Sequence, residues 1–65
     1  MIKIAIRFQN NIVMVFDKSG EQIPRYQGQY GKVKESILRD APPEAIFAHG
    51  LTDSGTLRKV PGEEW

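Results

Sequence analysis

The sequence predicts a single small α+β domain over residues 1–65, of order ββαββ, with one antiparallel sheet and one helix packed across one face. Three observations predict it. Apolar residues alternate over residues 2–8, a β-branched and aromatic run follows at residues 12–16, and residues 30–41 carry an apolar stripe at helical spacing. A chain of 65 residues is near the lower limit at which one core sustains a fold without disulfides or metals.

The first hairpin covers residues 2–17. Ile2, Ile4, Ile6 and Phe8 alternate with Lys3, Ala5, Arg7 and Gln9, and Asn10-Asn11 supplies the turn. Turn length decides what faces what. A two-residue turn pairs Phe8 with Val13 and sets Met14 and Phe16 beside Lys3 and Arg7. A three-residue loop with Asn11 left-handed pairs Ile6 with Met14 and Ile4 with Phe16. The second register gathers Ile2, Ile4, Ile6, Phe8, Ile12, Met14 and Phe16 on one side, so that side is the expected core face. Ala5, Val13 and Val15 then lie on the reverse face, between Lys3 and Arg7.

A polar turn, Asp17-Lys18-Ser19-Gly20, closes this hairpin. The connection over residues 18–29 contains Pro24 and Gly28, shows no sustained period, and is expected to be pinned by Ile23 and Tyr26. In the helix, residues 30–41, Tyr30, Val33, Ile37, Leu38 and Ala41 share one side, and Glu35 with Arg39 makes an i,i+4 pair. Ala41-Pro42-Pro43 stops it. Lys34 intrudes on the apolar stripe, while Lys32 in the first turn and Asp40 in the last oppose the helix dipole. A second hairpin spans residues 45–60: a buried strand at 45–49, a polar turn at 51–55 and an edge strand at 56–60. Residues 61–65 form a tail ending in Trp65. Pairing the third strand antiparallel with the first gives the expected strand order 2-1-3-4.

Composition excludes several chemistries. The chain has no cysteine, which removes disulfides, thiolate metal sites and thiol nucleophiles and favours a reducing, cytoplasmic setting. Its longest apolar run after Lys3 and Arg7 is too short for a membrane span, so no membrane partner is expected. One histidine, His49, precludes a multi-histidine metal site within one chain, and no cofactor is expected. Asp53-Ser54-Gly55 resembles the D-[ST]-G motif of aspartic proteases, whose chemistry needs two such carboxylates sharing a proton. Only one is present, and a hairpin turn accounts for it. His49, Asp53 and Ser54 supply the residue types of a hydrolytic triad without a nucleophile elbow or an oxyanion donor.

Three candidate surfaces remain. Gly28, Gly31, Lys32 and Lys34 surround the helix N-terminus, where backbone amides and lysines could hold an anion; the spacing is not that of a phosphate-binding P-loop. Lys3 and Arg7, with Tyr26 and Tyr30, offer charge and stacking for sequence-tolerant nucleic-acid binding. Residues 1–39 hold seven Lys/Arg against three Asp/Glu, and residues 40–65 two against five, but the net charge of +1 is far below that of typical nucleic-acid binders. Ala5, Val13, Val15 and Trp65 form the third surface, covered by the folded-back tail or by a partner. The expected function is a non-catalytic interaction or accessory module that binds a protein partner or a second copy of itself.

Overall fold

A left-handed Asn11 sets the register of the first hairpin. In the computed structural model, which describes residues 1–51 and 55–65, Asn11 has φ 66°. It lies between β1 (Ile4–Phe8) and β2 (Ile12–Phe16). Its amide donates to the Phe8 carbonyl at 2.8 Å, and Asn10 Oδ1 accepts the Ile12 amide at 3.0 Å. Ile4 therefore faces Phe16, and Ile6 faces Met14, the register expected from a three-residue loop.

The connection after β2 is more regular than its composition suggests. Asp17 Oδ1 accepts the amides of Ser19 and Glu21, and Gly20 takes φ 86°, so the chain reverses and runs back along the β2 edge. Gln22 bridges Phe16, and the Ile23 amide donates to the Val15 carbonyl at 2.9 Å. Pro24 has no amide to continue that ladder. The chain instead makes one 3-10 turn, Pro24–Tyr26, before rejoining as β3 (Gly28–Gln29), antiparallel to β2.

This return path changes the topology. α1 (Tyr30–Asp40) starts beside the hairpin turn, where the Tyr30 amide donates to the Asn11 carbonyl at 2.8 Å. A helix starting at the far end of β2 would have delivered the next strand antiparallel to β1. Because β3 has already crossed the sheet, the next strand, β4 (Ile46–Gly50), runs parallel to β1. β5 (Leu57–Val60) pairs antiparallel with β4. The sheet is thus mixed and five-stranded, of order β3-β2-β1-β4-β5. It differs from the expected antiparallel 2-1-3-4 arrangement by one added edge strand and one parallel pair.

The helix covers the face expected to be the reverse one. Ala5, Val13 and Val15 are fully buried against Val33 and Ile37, with Ile2, Tyr26 and Trp65 closing the cluster. Small, flat side chains on the sheet let the helix approach closely, and the large aromatics fill the margins. Ile2 joins this cluster because the chain bends at Lys3, ahead of β1. Leu38, expected in the stripe, is 40% exposed. The tail makes a 3-10 turn, Gly62–Glu64, and returns Trp65 to the core at 2% exposure. There its indole Nε1 donates to the Ala48 carbonyl at 3.0 Å, and its ring lies 5.1 Å from Phe47 and 5.3 Å from Tyr30. No helix among the described residues is long and apolar enough to cross a membrane.

Candidate functional site: an open apolar face and a basic cleft

Strand pairing places side chains of aligned residues on the same face of a sheet. Alignment of Ile4 with Phe16 and Ile46, and of Ile6 with Met14 and Ala48, puts them all opposite the helix. Phe8, Ile12 and Leu57 extend the same surface. It is apolar from β2 across to β4, with Gln29 and Lys59 at its two edges. Ile6 and Ala48 at its centre are buried by their own neighbours, whereas Ile12 and Leu57 at its margins are 37% and 48% exposed. Nothing in the chain's own helix or tail covers this face.

At the end of the sheet where the parallel strands β1 and β4 finish, a cleft of about 530 Å³ opens. Arg7, His49 and Arg58 line it from adjacent strands: Arg7 aligns with His49, and His49 with Arg58. Phe8 and Leu51 form apolar walls. Gly50 is required beneath Phe8, since a Cβ there would meet the Phe8 ring at 2.8 Å. Arg7 is held on three sides. Its Nε donates to Asn11 Oδ1 at 3.0 Å, its Nη1 donates to the Trp65 backbone oxygen at 2.9 Å, and its guanidinium carbon lies 3.6 Å from the Tyr30 ring centroid. His49 Nε2 sits 3.2 Å from the same Trp65 oxygen.

The sequence-predicted residues are distributed differently. Ala5, Val13, Val15 and Trp65 are core, so the surface expected to meet a partner is covered by α1 and the tail. Tyr26 is buried, with its hydroxyl 2.6 Å from Asp40 Oδ2 at the C-terminal end of α1; Tyr30 stands at the N-terminal end beside Arg7. The two tyrosines and Lys3 are therefore not brought together as one stacking platform. Gly28 pairs with Val13 at φ 137°, Gly31 and Lys32 are exposed, and Lys34 Nζ lies 5.3 Å from the Tyr30 ring centroid. None of these four lines the cleft. The Asp53-Ser54 part of the D-[ST]-G sequence lies outside the described residues. Among the described residues no three His, Asp or Glu side chains are grouped to hold a metal ion.

Sequence reasoning placed Arg7 on the valine face but missed His49 and Arg58 as its neighbours, because their convergence depends on the parallel β1–β4 pairing. Comparison with protein families, with curated proteins and with solved structures finds no match to this chain.

Proposed function

We propose that the chain is a small non-catalytic interaction module that pairs with a second copy of itself through the open face of its sheet. One observation carries this reading: Ile4, Ile6, Phe8, Ile12, Met14, Phe16 and Ile46 share one apolar face, mostly half-buried, that no helix among the described residues covers. Contiguous apolar patches on monomers are normally limited in size, and larger ones mark contact sites.

The form of the surface, one broad face of a sheet, supports a second copy as the occupant. Two sheets stacked about 10 Å apart form an ordinary sandwich core, and a two-fold pair needs only one self-complementary patch. Lys59 and Gln29 then fall at the rim, where solvent still reaches them. The lack of cysteine supports a cytoplasmic setting.

The test is mass in solution. Sedimentation equilibrium of the native chain is expected to give twice 7.4 kDa. The double variant Ile12→Lys/Met14→Lys, which leaves the helix-side core untouched, is expected to give the monomer mass with an unchanged far-ultraviolet circular dichroism spectrum. A native chain that stays monomeric at millimolar concentration overturns the reading.

A further inference from the structure

We propose that the cleft at the carboxyl ends of β1 and β4 binds a small organic anion, a carboxylate or phosphate carried on an apolar body. Arg7 and Arg58 meet the charge, and Phe8 and Leu51 meet the body.

The cleft's volume of about 530 Å³ suits a ligand of that size, and small-molecule sites are mostly apolar with a few convergent polar groups. Charge is the second argument. Arg7 on β1 and Arg58 on β5 lie on either side of His49 on β4, on one face of the sheet. Among the described residues no carboxylate lines the cleft. The ion pairs of the described residues, Arg25 and Arg39 with Asp40, lie at the opposite end of α1. An anion in the cleft meets positive charge from both arginines that line it.

Preorganisation is the third. Asn11, the Trp65 oxygen and the Tyr30 ring fix Arg7 before any ligand arrives, and a fork held in place loses less entropy on binding. Its Nη2 has no hydrogen-bond partner among the described residues. On the apolar side, Phe8 packs over the Gly50 backbone, where no Cβ intervenes. A bare inorganic anion would use only the charged half of this site. Arg7, His49 and Arg58 project from the helix side of the sheet, whereas Phe8 lies at the end of the open face, so the apolar wall of the cleft borders the proposed pairing surface.

The experiment is a titration of ¹⁵N-labelled protein with four probes: phenyl phosphate, benzoate, inorganic phosphate and benzyl alcohol. Saturable shifts are expected at the Gly50 and Leu51 amides and at Arg7 Nε with at least one aryl anion. Whichever of phenyl phosphate and benzoate binds more tightly identifies the head group. Inorganic phosphate and benzyl alcohol are each expected to bind at least about tenfold more weakly than that anion, the size of one charge-assisted hydrogen bond or one buried apolar fragment. Arg58→Gln is the decisive variant, because Arg58 holds nothing in place among the described residues whereas Arg7 pins the tail. It is expected to weaken the aryl anion about tenfold with the rest of the spectrum unchanged. Absence of saturable shifts with either aryl anion, equal binding of benzyl alcohol, or unchanged affinity in Arg58→Gln overturns the proposal. Because Phe8 belongs to both surfaces, the titration is repeated on Ile12→Lys/Met14→Lys, neither of which lines the cleft; binding that persists there separates the cleft from the pairing of the open face.

Discussion

Asp40 shows how one side chain can reverse an unfavourable position. A carboxylate in the last turn of a helix faces the negative end of the dipole. Here Arg39 Nε donates to it at 3.0 Å and the Tyr26 hydroxyl at 2.6 Å, and Arg25 lies 3.8 Å away. The Arg39 hydrogen bond, then that of Tyr26, hold the Asp40 carboxyl below the usual carboxylate range. At Asp17 the Ser19 hydroxyl and the Glu21 amide do the same. Both groups therefore bind protons more weakly folded than unfolded, so stability rises with pH across their titration. Acidification from pH 5 is expected to lower the thermal midpoint as pH falls past about 3.9, the unfolded aspartate value, and on through the lower folded values. Asp40→Asn is expected to flatten that slope, read by circular dichroism melts at several pH values. Gln27 is the opposite case. Its Oε1 is buried without a partner, and Gln27→Met, which keeps the shape and removes the orphaned acceptor, is expected to raise stability by about 1 kcal/mol in urea titrations.

At the scale of elements, the tail is part of the core. Trp65 reaches Ala48, Phe47 and Tyr30, and its backbone oxygen takes hydrogen bonding from Arg7 and His49. Trp65→Ala is expected to cost about 3–5 kcal/mol, comparable with the whole stability of a domain this small, so the variant should be largely unfolded by circular dichroism. Trp65→Phe keeps most of the apolar mass but loses the bond to Ala48, and is expected to fold with a lowered urea midpoint. Trp65 folding back was legible in the sequence, because a core this short of apolar mass recruits an aromatic. The hairpin register was legible too, since only one turn length puts the large residues on one side. The buried face was not. Alternation assigns residues to a common face, and both faces here are apolar, so Ile6 and Met14 gave no sign of being left outside. β3 was hidden because Pro24 interrupts the return along β2 and only Gly28 and Gln29 complete it. The basic cleft was hidden for a related reason: Arg7, His49 and Arg58 are distant in sequence, and only the parallel β1–β4 pair aligns them.

The whole molecule is a sheet with two apolar faces and one helix to cover them. A 65-residue chain buries a smaller share of its surface than a larger domain does, and its stability margin is correspondingly thin. Leaving Ile4, Phe8, Met14, Phe16 and Ile46 only partly buried adds to that deficit in the monomer. The proposed pairing would remove it, because a second sheet would supply apolar contacts that no helix among the described residues provides. Under the proposed pairing folding and association are linked, and mass action makes stability depend on concentration. For two chains of this length unfolding together, each tenfold rise in protein concentration is expected to raise the thermal midpoint by about 5 °C. Melts recorded by circular dichroism from micromolar to millimolar chain should show this rise in the native protein. In Ile12→Lys/Met14→Lys the midpoint should be lower and independent of concentration, because the lysines charge the face and leave the Val13–Ile37 core intact. A native midpoint that does not move across that range would mean that the isolated chain is stable with its apolar face in water, and the link between folding and pairing would fail.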